Sequence, residues 1–249
     1  MQYLFCLPRY NTPTTLGGTK MIRENNESEW NKYWEEESSS DFLTRIYSRI
    51  ASFYRNFLIG PRLKREIDLN FSPGVLLLHA GSGAGEVDRF LRDTYSVTAL
   101  DLSTGAVEKY QKRYPGSSAI VGDITDLSSV TDKFDGVYNL GVMEHLDPYQ
   151  INKSLKEIEK LLVVGGRIVL FWPPIFGLSV LFLNSVHFLL NRILKRNVIL
   201  HPSEPNKVST RKKFLPYLEG TKLEIVDFKM SWRDFFTYTV VTLKTVAEN

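Results

Sequence analysis

Three glycines, Gly81, Gly83 and Gly85, stand at alternate positions in HAGSGAGE (79–86), directly behind the aliphatic run Val75-Leu76-Leu77-Leu78. A strand that ends in glycines and opens a helix brings backbone N–H groups and the positive end of the helix dipole to the carboxyl edge of a sheet. That is the edge where open α/β sheets bind ligands. A tight turn needing one positive φ asks for one glycine, so three at this spacing predict close approach by a ligand. The spacing also discriminates between ligand loops. The dinucleotide fingerprint G-x-G-x-x-G/A needs a small residue at 86, where Glu86 stands, and the phosphate loop needs a Lys-Ser or Lys-Thr that does not follow.

Two acids extend the pattern. Asp101 closes Val97-Thr98-Ala99-Leu100-Asp101, where a carboxylate can accept hydrogen bonds from both hydroxyls of a ribose; the competing reading is a cap on the helix beginning near Ser103. Asp123, in Gly122-Asp123-Ile124, repeats the device one strand further on, where it can accept from an adenine amino group while Ile124 packs on the ring. FDGVYNLGVMEHL (134–146) brings a fourth strand end to the same edge, with His145 just past it. An imidazole there suits removal of a proton from a hydroxyl; otherwise it is a helix-start histidine bonded to backbone.

These residues are positioned by alternating elements. Strand-length apolar runs (Val75 to Leu78, Val97 to Leu100, Ala119 to Val121, Gly136 to Leu140, Arg167 to Phe171) alternate with helix-like segments (Glu86 to Tyr95, Thr104 to Tyr114, Tyr149 to Val163). Parallel strands need such long crossovers, so the alternation predicts a parallel sheet covered on both faces. Lys222 to Phe228 and Thr237 to Val246 read as a closing antiparallel hairpin. Upstream, Trp30 to Glu37 and Asp41 to Leu58 have helical spacing, ending near Gly60-Pro61.

Composition bounds the rest. A chain of 249 residues with 43% hydrophobic content can bury a sizeable core, and a net charge of +3 without a recognition motif gives no case for nucleic acid. The single Cys6 excludes an internal disulfide and fits a cytoplasmic location. Residues 1–20 lack the pattern of a secretory signal and read as a flexible arm.

Taken together, HAGSGAG, the strand-end acids, FDGVYNLGVMEHL and Leu162-Val163-Val164-Gly165-Gly166-Arg167 resemble the class I S-adenosylmethionine-dependent methyltransferases, over roughly residues 72 to 172. The resemblance implies an α/β, Rossmann-like seven-stranded sheet, mostly parallel with an antiparallel last strand and helices on both faces. It implies S-adenosylmethionine as cofactor and S-adenosylhomocysteine as product. Gly81, Ser82, Gly83 and Gly85 would lie against the methionine part, Asp101 and Leu102 at the ribose, Asp123 and Ile124 at the adenine, and Asn139, Leu140, Gly141 and Val142 beside the sulfonium. The family usually carries an acid where this chain has His79; a neutral imidazole holds the cofactor's amino group less strongly, which tunes binding. Some quinone-pathway O-methyltransferases have a pair like Glu144-His145, which can hold a divalent ion; with no further ligands in view, no metal is expected.

The expected organisation is an arm at 1–20, a helical cap at 21–71 and a methyltransferase domain at 72–249 with an insertion at about 173–213. Within the insertion, 176–196 carries a wide apolar face bordered by Arg192, Lys195 and Arg196. Packing on the sheet or a homodimer contact is the expectation; a lid over a lipid-like acceptor with peripheral contact at the inner membrane face is the sharper one. The expected activity is methylation of a small or lipid-like acceptor, at oxygen, with His145 as base. The alternatives are a nucleotide-dependent oxidoreductase and a non-catalytic cofactor-binding module.

Overall fold

The computed structural model describes residues 52–174, 206–231 and 236–246. The expected arm, the Trp30 to Glu37 helix, residues 41–51 and the 176–196 face lie outside the described residues. Strand β1 is Leu76–Ala80, β2 Ser96–Asp101, β3 Ala119–Val121, β4 Phe134–Leu140, β5 Leu162–Trp172, β6 Leu223–Met230 and β7 Thr239–Thr245. They form one seven-stranded sheet in the order β3-β2-β1-β4-β5-β7-β6, with β7 antiparallel to both neighbours and the pairs from β3 to β5 parallel. The direction of chain winding reverses at β1 and β4, and the crevice outside the carboxyl ends there is the expected ligand position of such a sheet.

Alternation along β1 sends Leu78 and Ala80 to one face and Leu77 to the other. The first face packs under α3, Pro148–Leu161, whose buried Ile151, Leu155 and Ile158 recur at helical spacing. That helix starts on a reciprocal cap: Asp147 Oδ1 accepts from Gln150 N–H at 2.8 Å and Gln150 Oε1 from Asp147 N–H at 3.0 Å, with Pro148 in the first turn. Helix α2, Thr104–Arg113, is capped by the Ser103 side chain and buries Ala106, Val107 and Tyr110. The other face packs under α1, Gly60–Asn70, through Leu63 and Ile67.

Helix α1 corrects an expectation. Gly60-Pro61 does not end the upstream helix; a π-helical turn, Arg55–Ile59, runs straight into α1, with Gly60 N–H bonded to Arg55 O. Pro61 lacks an N–H, and its ring would press on the carbonyl four residues back; the wider π turn opens the ladder just ahead of it. Gly60 is a packing glycine, since a Cβ there would lie 2.0 Å from the Phe90 ring.

At the other end of the sheet the fully buried Trp172 closes β5. Its ring stacks on Tyr217 and meets Phe214 of the short α4, Arg211–Phe214, edge-on, and its Nε1–H donates to Asn206 O. The chain beyond the insertion is thereby fastened to the carboxyl edge.

Gly60→Ala sets helix propensity against overpacking. Alanine favours the helix by about 1 kcal/mol, whereas inserting a methyl into a filled contact costs about 1–3 kcal/mol. Urea denaturation is expected to show net destabilisation, and the same substitution in a Phe90→Ala background is expected to be neutral or stabilising.

Candidate functional site at the carboxyl edge

The glycine loop is closed by its own backbone. Gly81 and Ser82 N–H donate to Leu100 O at 2.7 and 3.0 Å, Gly83 N–H to Asp101 Oδ2 at 2.8 Å and Gly85 N–H to Ser82 O at 3.0 Å. The expectation of bare N–H groups facing a ligand is corrected: buried backbone donors find acceptors, and here β2 supplies most of them. All three glycines have positive φ, +78°, +52° and +67°. The expected close approach is made by the chain itself, since a Cβ on Gly81 would lie 2.1 Å from Val142 Cγ2 and one on Gly85 2.4 Å from Tyr110 Cε2.

Nor does an α-helix follow. The Glu86 to Tyr95 segment is a run of tight turns with one 3₁₀ helix, Asp88–Phe90, dominated by i→i−3 bonds. The Asp88 carboxylate points inward from this run, where it finds partners that an outward acid would lack. The helix-dipole contribution expected at the loop therefore has no helix behind it.

Asp101 is partly buried at the end of β2, with Oδ1 accepting from Ser103 N–H at 2.9 Å and Oδ2 from Gly83 N–H. The cap of α2 is Ser103, so the capping alternative for Asp101 falls to its neighbour. Burial pushes the Asp101 carboxyl above the ordinary range, opposed by the bonds from Ser103 and Gly83 and by the charge of His79. Leu102 is half-buried beside it. Asp123 Oδ1 accepts from Thr125 N–H and Oγ1–H, each at 2.8 Å, in a local turn. Ile124 packs into the core cluster that also holds Leu127.

At the end of β4, Asn139 is buried; its Nδ2 donates to Ala80 O and its Oδ1 has no partner. Leu140 and Gly141, at φ +77°, lead into a 3₁₀ turn, Met143–His145. His145 is half-buried there, and its N–H bonds Val142 O at 3.0 Å. Asn206 N–H reaches Glu144 O at 3.3 Å and its Nδ2 donates to Leu146 O, so the insertion returns beside His145. Arg55 Nε, 2.8 Å from Glu86 Oε2, and Tyr54 OH, hydrogen-bonded to Thr237 Oγ1, bring the start of the helical cap to the same rim. Two grooves, one of about 440 Å³ along α1 and Phe90 and one of about 180 Å³ at the amino edge of the sheet, lie away from it.

Sequence reasoning missed Asp88. Its carboxylate is fully buried and accepts from Tyr138 OH at 2.8 Å and Tyr110 OH at 2.9 Å, while His79 Nδ1 lies 2.8 Å from Oδ1. Burial, then the Asp88 charge, pushes both phenols well above their ordinary range, so they remain donors. The signal was available: Asp88 shares a helical-spacing stripe with Ala84, Leu91 and Tyr95, all buried, where an acid needs partners.

Residues 78–170 match the family model described as "Methyltransferase domain". Over 109 residues, covering 42% of this chain and 45% of the relative, the sequence is 31% identical to a demethylmenaquinone methyltransferase of Renibacterium salmoninarum. Over 119 residues, covering 43% and 56%, it is 25% identical to an uncharacterized methyltransferase of Synechocystis. The matched region thus spans about half the length of these curated relatives. Among solved structures, magnesium protoporphyrin IX methyltransferase of Synechocystis with bound S-adenosylhomocysteine superposes with a TM-score of 0.59 at 15% identity, over 92% of this chain and 100% of that one. An amino pentose methyltransferase of Micromonospora echinaspora with bound S-adenosylmethionine gives 0.57 at 12% identity, over 83% and 99%. Residues 78–170 are thus similar to a methyltransferase domain, and the sheet that holds them has the fold of these methyltransferase structures.

Proposed function

We propose that the chain is an S-adenosylmethionine-dependent methyltransferase that methylates a small or lipid-like acceptor at oxygen. One observation carries the cofactor half of this reading. The Asp101 carboxylate stands partly buried at the rim, fixed by Gly83 N–H at 2.8 Å, and each of its oxygens keeps a lone pair for a ribose hydroxyl. The surrounding residues fit such a guest: Asn139 Oδ1 and His79 Nε2 are buried acceptors or donors without protein partners, a situation that costs stability unless a ligand meets them. S-adenosylmethionine, when bound, supplies a methyl group activated by positively charged sulfur. The chain's own task is to align the acceptor and exclude water. In this reading the imidazole of His145 takes the proton of the acceptor hydroxyl, and the insertion fastened by Asn206 covers the acceptor.

The lipid-like acceptor is supported by the aromatic rim. Phe53 and Phe57, with rings 4.3 Å apart, and Phe236 are substantially exposed on the segments that Tyr54 and Thr237 join. It also agrees with the quinone named for the Renibacterium relative. Among the described residues, which do not include 176–196, no helix is long and apolar enough to cross a membrane. In this reading 176–196 makes a peripheral membrane contact.

Isothermal titration tests the proposal. S-adenosylhomocysteine is expected to bind and NAD not to; Asp101→Ala is expected to weaken binding about tenfold or more, the loss of charge-assisted hydrogen bonds. Binding needs the ionised carboxylate, and its pKa in the free protein is raised. Affinity is therefore full above that raised pKa and lost as pH falls through it, beginning above the ordinary aspartate value of about 3.9. His145→Ala is expected to lower methyl transfer about a hundredfold while leaving S-adenosylhomocysteine affinity unchanged. NAD binding in place of S-adenosylhomocysteine, or an Asp101→Ala protein that binds normally, contradicts the cofactor assignment.

A further inference from the structure

His145 stands on a three-residue 3₁₀ turn, not on a strand or a long helix, so its placement depends on what grips that turn. Both ends of the turn are fixed. Upstream, Gly141 bends the chain at φ +77° and the Val142 side chain fills the space that a Cβ on Gly81 would need; downstream, Asp147 enters the reciprocal cap of α3. Inside it, His145 N–H bonds Val142 O at 3.0 Å and Leu146 N–H bonds Met143 O at 3.2 Å. Those bonds use the carbonyls of 142 and 143. The two that flank His145, Glu144 O and Leu146 O, are answered from elsewhere.

One residue answers both. Asn206 N–H donates to Glu144 O at 3.3 Å and Asn206 Nδ2 donates to Leu146 O, so a single asparagine spans the peptide groups on either side of His145. Its own carbonyl accepts the Nε1–H of Trp172, whose fully buried ring closes β5 and stacks on Tyr217. Two residues on, Val208 is buried in the core cluster that holds Trp172. The grip therefore runs from a rigid post in the sheet, through Asn206, to the turn that carries the imidazole.

The residue type suits the task. An amide brings a donor to Leu146 O at short reach, whereas aspartate, equal in shape, offers only acceptors and would set oxygen against oxygen. A fastening alone could bond any carbonyl of the core; this one takes the two beside His145. Proton removal asks for such a grip, because a base has to stay within hydrogen-bond reach of the acceptor hydroxyl, and a misplacement of about 1 Å costs about a hundredfold in rate.

We propose that Asn206 is a positioning residue for His145: by holding the carbonyls of residues 144 and 146 it fixes the backbone from which the imidazole reaches the acceptor hydroxyl. The inference rests on the reading of His145 as the base. Asn206 itself takes no proton and touches no reacting atom.

Nuclear magnetic resonance on the full chain tests it without an acceptor. The signals missing from His145→Ala assign the His145 ring, and His79, buried on β1, is the internal control. One set of His145 ring signals is expected in the wild-type protein. In Asn206→Ala that set is expected to split or broaden, and exchange of the His145 amide to quicken about fivefold or more, the effect of losing one hydrogen bond, while the His79 signals keep their positions. Trp172→Phe, which keeps a ring against Tyr217 and removes the N–H, is expected to act in the same direction and serves if Asn206→Ala does not fold. An Asn206 that only fastens the chain would lower the urea midpoint and leave the His145 signals of the folded protein unchanged, which overturns the proposal. Signals of His79 and His145 that shift together overturn it as well, since the change would then be global. Methyl transfer that survives His145→Ala would instead remove the base reading beneath it.

Discussion

A single buried carboxylate organises the carboxyl edge of this sheet. A carboxylate inside an apolar layer needs donors, and the chain supplies Asp88 with two phenols from two separate elements, with the His79 ring 2.8 Å away. Satisfying it dictates much of the surrounding geometry. The segment after the glycine loop winds as tight turns instead of an α-helix, Tyr110 lies where a Cβ on Gly85 would be, and the His79 ring is held flat against Tyr138. Removing any one donor leaves the charge under-satisfied, so these residues act as a unit.

The second organising feature is the closure of the glycine loop onto β2. Gly81, Ser82 and Gly83 spend their N–H groups on Leu100 O and the Asp101 carboxylate, which draws the loop down against the sheet and presents that carboxylate at the rim. The edge therefore has a rigid floor of satisfied backbone and a small set of side-chain groups still open to hydrogen bonding. Recognition on such a floor is done by side chains, and that separates this edge from loops whose bare N–H groups grip a phosphate. Around it, the Arg55–Glu86 contact and the Asn206 latch bring residues 55 and 206, at the described ends of the helical cap and the insertion, to the same rim.

The strands were legible because both faces of the sheet are covered, so each reads as an unbroken apolar run, and their parallel direction followed from the alternation with helices such as 148–161, where cap, proline and stripe agree. The glycine positions and Asp101 were legible as an edge of the sheet. Their detailed use was not. Nothing in HAGSGAGE says that the N–H groups bond inward, because their acceptors come from residue 100, nineteen positions from Gly81. Glu86 to Tyr95 carries helical spacing, yet it winds mainly with i→i−3 bonds; Gly60-Pro61 looked like a stop because the π turn that tolerates it has no sequence mark of its own.

Central to all of this is a nucleoside with an amino-acid tail lying along the crevice between the ends of β1, β2 and β4. A crystal structure grown with S-adenosylhomocysteine tests it most directly. The ribose hydroxyls should hydrogen-bond the Asp101 carboxylate. A complex with the ligand elsewhere on the molecule, or with Asp101 still bonded only to Gly83 and Ser103, would contradict it.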